Sequence, residues 1–350
     1  MLETKKAKLF DIVELVEDLP EYGVKRGEQG VVVEILDDPE EAYILEFVDE
    51  SGTSSRLAYW VKPDQIKSSD EIAKEALEHG ITLHNEGKGA EAEEEFRQAI
   101  ELKPSLIEDL HNRIVNGFEN SGTLENFIFA MRLILRLDPS YEVARRNLAI
   151  AYENQGVQEA ERGNLYAASN KLQMALAIGA SEEILSCIRK NLAAVYTLLG
   201  LKAIDEGDVH SLIGFMGMAC AIDTNERTRE NYGLAYAHLG WLYLKDQEYQ
   251  NAITAFECAK EMGLSTYDLI NNYGIALAGS GYFNTAIWAF EKILEMAPDD
   301  EIAQRNLHLV RKAKEERKPS INLDNEMRSM EFPIAPPMQL EKFHSEGIVA

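Results

Sequence analysis

The chain has 350 residues, with 35 Lys plus Arg against 60 Asp plus Glu, which gives a formal net charge of -25. This charge repels phosphate backbones and anionic lipid, so we expect no nucleic acid and no membrane surface among its general partners. No apolar run reaches the roughly 18 residues of a membrane span. Acidic residues also interrupt the N-terminal segment before a signal-peptide core can form. We therefore expect a cytoplasmic protein.

Residues 1–67 are predicted to form a first domain of short strands. The segments GEQGVVVEIL, EAYILEFVD and SSRLAYWV are rich in β-branched and aromatic residues, and Gly, Pro and Asp clusters separate them. Residues 9–67 resemble a family of small, uncharacterised bacterial SH3-like barrels. KRGEQGVVVEIL is also similar to the strand-loop-strand of some RNA-binding barrels. Acidic residues outnumber basic ones here, which favours a protein-contact module over an RNA-binding one.

Residues 68–318 are predicted to form a second, helical domain with an internal repeat. AEAEEEFRQAIELKP, NAITAFECAKEMG and NTAIWAFEKILEMAP each place small and aromatic residues at the same spacing. A glycine precedes the first small residue of each by about twelve residues. Small residues let two helices approach, the aromatic residue fills the space between neighbouring pairs, and proline ends a helix. The three glycines are Gly80, Gly240 and Gly274.

These segments resemble tetratricopeptide repeats over about 73–318. The resemblance implies a mainly α fold, a tetratricopeptide-type α-solenoid (a superhelix of antiparallel helix pairs), which follows a small N-terminal all-β SH3-like barrel. We predict about six helix pairs and a capping helix at about 299–318. The unit at 108–140 keeps Phe118 and Pro139 but lacks the alanines, so it is degenerate.

Three central repeats carry an insertion in their first helix. The asparagine of the first helix precedes the small residue of the second by 14 residues from Asn272 to Ala286. The same interval is 21 residues in the spans 147–168, 191–212 and 231–252, and in the second of these Leu212 stands at the position of the small residue. Seven residues make about two helical turns. The first helices of these three repeats are therefore predicted to be longer, with a deeper inner wall.

The recurring asparagines lie two residues before a small residue of the first helix in four cases, and Asn306 has the matching position before His308. In tetratricopeptide arrays the first helices line the concave face, and the resemblance implies that such asparagines form a ladder that binds an extended peptide. A carboxamide can donate to and accept from a peptide backbone. Each bond contributes only about 0.5–1.5 kcal/mol, so affinity would come from their number. The candidates are Asn147, Asn191, Asn231, Asn272 and Asn306.

A basic stripe lies one or two positions before these asparagines. In a chain of charge -25, such a stripe is expected to face an anionic group. It resembles the basic-plus-Asn carboxylate clamps of co-chaperone repeats, although their residue-by-residue pattern is not met. The basic residues are Arg145, Arg146, Arg189, Lys190, Arg229 and Arg305, with Arg113 at the corresponding position of the degenerate repeat.

Apolar residues three positions beyond each asparagine are expected to form a groove floor. They are Ile150, Ala194, Leu234, Ile275 and Leu309. The expected ligand is therefore an extended, partly acidic peptide with apolar side chains. A structural interpretation stays open, because each asparagine can bond across to the next helix and each arginine can pair with a neighbouring glutamate.

Catalytic and metal-binding patterns are not found in the sequence. The seven histidines are scattered, GSGYFN lacks a phosphate-loop lysine, and no Ser-His-Asp or Cys-His set has sequence context. The three cysteines are far apart, which does not suggest a disulfide scaffold or a zinc site. We therefore expect no cofactor, no metal and no enzymatic activity.

Residues 319–350 are predicted to form an extended or disordered tail, because the prolines at 333–337 exclude a helix. We interpret the protein as a bacterial, non-enzymatic scaffold or adaptor that binds a partner's peptide segment in the concave groove. The tail contains more apolar residues than a linker needs, including Met330, Phe332 and Ile334. The alternative is therefore a regulatory or chaperone-like subunit of a neighbouring enzyme, whose C-terminal tail is the recognised or autoinhibitory element. The tail could also dock in the groove of its own array.

Overall fold

The computed structural model describes residues 7–37, 40–48, 55–121 and 123–316, with the backbone alone at 117–121. Two compact units divide the chain, one up to Arg145 and the other from Arg146 onward. The division falls within the predicted helical domain, at a different place from the expected boundary at residues 67 and 68. The predicted tail, 319–350, lies outside the described residues.

The first unit begins with five strands, β1 (Ile12–Leu15), β2 (Gln29–Leu36), β3 (Ala42–Val48), β4 (Ser55–Val61) and β5 (Ile66–Ser68). They pair antiparallel in the order β4-β3-β2-β1-β5. Side chains alternate across each strand, and Val13, Leu15, Val32, Leu45 and Phe47 form the core of the buried face. The described strands make an open sheet with β4 and β5 at its edges. Closure into an SH3-like barrel stays a prediction.

Helices begin directly after the last strand. Ser68 caps the first helix. Its hydroxyl oxygen accepts a hydrogen bond from the Glu71 backbone N–H, and the Glu71 carboxylate accepts one from the Ser68 backbone N–H. The helices of the first unit are α1 (Ser69–Asn85), α2 (Gly89–Leu102), α3 (Leu106–Ser121) and α4 (Leu124–Leu137), and α5 (Glu142–Glu161) contains the division between the units. The predicted change from strands to helices near residue 68 is confirmed.

The second unit continues the alternation of first and second helices. Its helices are α6 (Leu165–Ile178), α7 (Glu182–Asp205), α8 (Val209–Ile222), α9 (Glu226–Lys245), α10 (Tyr249–Glu261), α11 (Tyr267–Gly279), α12 (Phe283–Met296) and α13 (Glu301–Glu315). Across the described residues this gives six helix pairs and one final helix, as predicted. The fold is mainly α, of the tetratricopeptide solenoid type.

Glycines set the closeness of the helix pairs. A Cβ atom at Gly240 in α9 would lie 2.6 Å from the ring of Phe256 in α10. A Cβ atom at Gly274 in α11 would lie 2.8 Å from the ring of Phe290 in α12. The aromatic ring therefore packs on the glycine of its own pair, whereas the sequence suggested a place between neighbouring pairs. The predicted use of small residues for close approach is confirmed.

The predicted elongation of three first helices is also confirmed. Helices α5, α7 and α9 have 20, 24 and 20 residues, whereas α11 has 13. The second helices α6, α8 and α10 have 14, 14 and 13 residues. Each of these three first helices is thus longer than its partner in the pair, and the three carry Asn147, Asn191 and Asn231 with their neighbouring basic residues.

Helix α7 has enough length and apolar character to cross a membrane by composition alone. It is the one such helix among the described residues, and 61% of its most apolar window is buried inside the fold. The core helix of a helical array has the same composition, because it is covered on most sides.

Candidate functional site

The five candidate asparagines lie in the interior of the fold. Four occupy the first helix of a pair and the fifth occupies the final helix, and none is more than 3% exposed. A buried carboxamide needs hydrogen-bond partners, because an unsatisfied polar group costs about 1–3 kcal/mol. They are Asn147 in α5, Asn191 in α7, Asn231 in α9, Asn272 in α11 and Asn306 in α13.

Two of the asparagines bond to the first helix of the preceding repeat. The Nδ2 of Asn191 donates to the Oε1 of Glu153 in α5, and both side chains are buried. The Nδ2 of Asn306 donates to the Oδ1 of Asn271 in α11 at 2.9 Å. These bonds match the structural interpretation, in which the amides fix the spacing of successive first helices. Direct contact between the asparagines and a peptide stays a prediction.

The expected apolar floor is largely part of the core. Ile150, Leu234 and Ile275 are buried, and Ala194 and Leu309 are half-buried. A residue three positions after a buried asparagine lies on nearly the same helix face, so it points inward with the amide. The asparagine and the apolar residue therefore share one internal surface.

Several cations of the predicted stripe have partners within the chain. Arg189 forms an ion pair with Glu182 at 2.6 Å, and this hydrogen bond raises the pKa of the Arg189 guanidinium. The guanidinium of Arg145 donates to the carbonyl of Pro139. Arg113, in the degenerate repeat, pairs with Glu78 and Asp109. Arg113 and Arg189 thus match the structural interpretation, in which the arginines pair with a neighbouring acid.

Three other cations of the stripe are exposed and form no ion pair with any described residue. They are Arg146 in α5, Lys190 in α7 and Arg229 in α9. Each lies one or two residues before a buried asparagine, in the N-terminal half of a long first helix. The buried amide anchors the helix while the neighbouring cation points to solvent. Arg305 in α13 is exposed in the same relation to Asn306.

A polar cleft lies beside one of these cations. Its volume is about 680 Å³, and it separates the start of α9 from the loop before α11. Arg229 lines it together with Glu226 and Glu230, and Ser265 and Thr266 supply hydroxyl groups. The mixed charges suit a polar ligand that offers both donors and acceptors.

Half-buried aromatic residues of α9 form two separate clusters that the sequence analysis did not identify. The Nζ of Lys245 lies 4.5 Å from the ring centroid of Trp241, and the imidazole of His238 lies 5.7 Å from the same ring. Burial, with a smaller contribution from Lys245, lowers the pKa of His238. On the same helix the Tyr232 and Tyr236 hydroxyls are 3.1 Å apart, which raises the pKa of Tyr236 to about 12. In the sequence, the many aromatic residues of GLAYAHLGWLYLK could have indicated these contacts.

The degenerate repeat leaves an apolar cleft of about 360 Å³ in the first unit. Ile81 of α1, Leu110 and Ile114 of α3, and Phe127 of α4 are among its lining residues. In α4, Phe127 and Ile134 occupy the positions that match Ala92 and Ala99 of α2, and larger residues there keep two helices from approaching as closely.

Metal-binding clusters are not found among the described residues, where no group of three His, Cys, Asp or Glu side chains converges. Cys187 is buried, Cys220 and Cys258 are half-buried, and all three are free thiols. Burial and the neighbouring Glu261 raise the pKa of the Cys258 thiol, which disfavours the reactive thiolate.

Family comparisons agree with the repeat pattern. Residues 76–106 and 234–262 match the family model of the tetratricopeptide repeat. Residues 9–67 match a domain of unknown function, DUF4926. The resemblance to tetratricopeptide-repeat proteins is therefore confirmed. It supports a protein-interaction scaffold in general terms. A comparison with curated protein sequences finds no match.

Solved structures with similar helical arrays are distant in sequence. The tetratricopeptide domain of P58(IPK) is 16% identical with a TM-score of 0.30, covering 69% of this chain and 65% of that one. PilF of Pseudomonas aeruginosa is 17% identical with a TM-score of 0.26, covering 71% and 99%. The TPR2AB domain of yeast Sti1, solved as a pHSP90 complex, is 16% identical with a TM-score of 0.24, covering 68% and 98%. The chain thus spans less than two thirds of the P58(IPK) domain.

Proposed function

We propose that this protein is a non-enzymatic scaffold that binds an extended, partly acidic peptide segment of another protein along the first helices of its repeat array. The observation that carries the proposal is the row of Arg146, Lys190 and Arg229. These cations are exposed without an ion pair among the described residues, one on each of three successive long helices. We place the protein in the bacterial cytoplasm.

The net negative charge of the chain favours binding of an acidic segment at this row of cations over the rest of the surface. A chain of charge -25 repels an acidic segment over most of its surface, so such a segment is favoured where cations are concentrated. Each exposed ion pair contributes only about 0.2–1 kcal/mol. The affinity therefore depends on several repeats acting together, and on a peptide long enough to reach all three helices.

The buried asparagines hold in place the helices that carry these cations. The bond from Asn191 to Glu153 joins α7 to α5, the helices that carry Lys190 and Arg146. A buried hydrogen-bonded network fixes one arrangement of the groups it connects. In this proposal the asparagines set the spacing of the cations, and the peptide contacts the exposed side chains beside them.

A peptide panel tests the proposal. Fluorescence anisotropy would compare extended acidic, neutral and basic peptides with apolar residues at alternate positions. The acidic members should bind, and the triple variant Arg146→Glu, Lys190→Glu and Arg229→Glu should lose at least about tenfold in affinity, since three pairs contribute about 1–3 kcal/mol together. Raising the salt concentration should weaken binding in the same way.

A matched control separates position from net charge. The variant Arg162→Glu, Lys202→Glu and Lys312→Glu reverses three exposed cations elsewhere in the second unit. Its net charge equals that of the test variant, so it should retain binding. Equal losses in both triple variants would show a general charge effect and contradict the proposed surface.

A further inference from the structure

The outer faces of the second helices differ in charge. Nine residues after the buried alanine that begins the repeat pattern of each second helix (Leu212 takes its place in α8), α2, α10 and α12 carry a glutamate, whereas α6 and α8 carry an alanine. All five residues are exposed. They are Glu101, Glu261 and Glu295 in the charged helices, and Ala177 and Ala221 in the uncharged ones. Two neighbouring second helices thus lack the acidic surface of the others.

Charge is nearly absent from the whole of these two helices. Across the 14 residues of α6 and the 14 of α8, Lys171 is the one charged side chain, whereas 27% of the chain is charged. Helix α8 has a strongly apolar composition over its full length. A surface helix normally places charged residues on its solvent side, so this composition is unusual for an exposed face.

Large apolar side chains protrude from this face. Tyr166 is 62% exposed, Met174 is 43% exposed and Met218 is 49% exposed. The ring of Tyr166 in α6 contacts the ring of Phe215 in α8, with 6.2 Å between their centroids. This contact joins the two helices into one surface, which we call the α6–α8 face. A contiguous exposed apolar surface usually marks an interaction site.

Glycine and alanine residues, which we call flat positions because they carry no protruding side chain, lie among the large side chains of this face. A Cβ atom added at Gly214, in the middle of α8, would meet no atom within 4 Å. Gly214, Ala177 and Ala221 are all exposed. Protruding residues and flat positions therefore occur on the same face. A surface with both features can pack against its own copy about a two-fold axis.

We propose that the α6–α8 face is a homodimer interface, occupied by a second copy of this chain. The charge of the chain selects this face for self-association. Two copies that each carry a charge of -25 repel wherever carboxylates meet, and α6 and α8 contain none. In the dimer the tyrosine and methionine side chains of each copy pack over the flat positions of the other, and their burial supplies the stabilisation.

Sedimentation equilibrium of the full chain tests this proposal. The unmodified protein should have twice the 39.3 kDa chain mass. The variant Tyr166→Glu with Met218→Glu should dissociate, with a dimer Kd at least about tenfold higher, because it removes two apolar contacts and buries charge. Added salt should strengthen the dimer by screening repulsion between the copies. Peptide binding by the basic row should respond to salt in the opposite way.

The control variant makes equal changes on the outer face of α10. Gln250→Glu with Thr254→Glu adds the same two negative charges at exposed positions, and it should remain a dimer. Circular dichroism would establish that both variants keep their helical content. A monomeric wild-type protein at the highest concentration and salt tested would overturn the proposal. A dimer that survives Tyr166→Glu with Met218→Glu would overturn it as well.

Discussion

Asn191 of α7 donates a hydrogen bond to Glu153 of α5, and both side chains are buried. The two residues belong to successive first helices, so the bond fixes one repeat against the next inside the second unit. The exposed cations Arg146 and Lys190 lie on the same two helices. The buried hydrogen bond therefore fixes the two helices on which the exposed cations lie.

Replacing Asn191 should lower stability. Asn191→Ala removes a donor to a buried carboxylate, which we expect to cost about 1–3 kcal/mol in the free energy of unfolding. Asn191→Asp should cost more, since it places a second carboxyl group beside Glu153. Urea unfolding followed by circular dichroism measures both variants. A loss below about 0.5 kcal/mol for Asn191→Ala, within the usual range of surface substitutions, would contradict the bracing role.

Replacing Gln247 by glycine should raise stability. The turn between α9 and α10 gives Gln247 a φ of 60°, and the matching turns carry Gly87, Gly163, Gly207 and Gly281 with φ between 74° and 82°. A left-handed conformation costs a non-glycine residue about 1–2 kcal/mol. Gln247→Gly should therefore stabilise the protein by about 0.5–1 kcal/mol after the entropy cost of glycine. Thermal unfolding measures the gain, and a lower Tm would contradict it.

Adding a methyl group at Gly240 should be destabilising. Its Cβ atom would lie 2.6 Å from the ring of Phe256, so Gly240→Ala should cost about 1–3 kcal/mol through overpacking. Gly89→Ala is the control, because a Cβ atom there meets nothing within 4 Å. Urea unfolding should place the control near the unmodified protein. Equal effects at both positions would argue against the close approach of α9 and α10.

Acidification should destabilise the protein through His238. Burial depresses the pKa of this residue in the fold, so the unfolded state binds a proton more readily. Stability should therefore be full above the ordinary histidine pKa of about 6.5 and fall as the pH drops below it. His238→Gln should reduce the fall in the urea midpoint between about pH 7 and pH 5, a range that lies above most carboxyl titrations. His308→Gln, at an exposed position, should leave it unchanged.

The repeat spacing predicted the helices well, because the residues that pack between helices recur at fixed positions in the sequence. Glycine, alanine and phenylalanine recur where two helices touch, so their spacing gave the pairs and the longer α5, α7 and α9. The sequence pattern could not decide which way an asparagine points. A carboxamide serves equally to bind a peptide and to brace a helix, and only the folded arrangement brings Asn191 to Glu153, 38 positions earlier in the chain.

The sequence pattern also could not show which basic residues form ion pairs within the chain. Arg189 and Lys190 are adjacent, yet Arg189 pairs with Glu182 whereas Lys190 is exposed without an ion pair among the described residues. Successive residues on a helix point about 100° apart, so one faces an acid on its own helix and the other faces solvent. The uncharged α6–α8 face was visible in the composition, but its exposure was not.

Quantitative capture of partners from a lysate of the native host is the most direct test of the central claim. Baits would be the unmodified chain, the variant Arg146→Glu, Lys190→Glu and Arg229→Glu, and the charge-matched variant Arg162→Glu, Lys202→Glu and Lys312→Glu. The account predicts a protein held by the unmodified and charge-matched baits and lost from the first variant, with all three equally helical. Equal capture by all three baits would contradict a binding surface on the first helices.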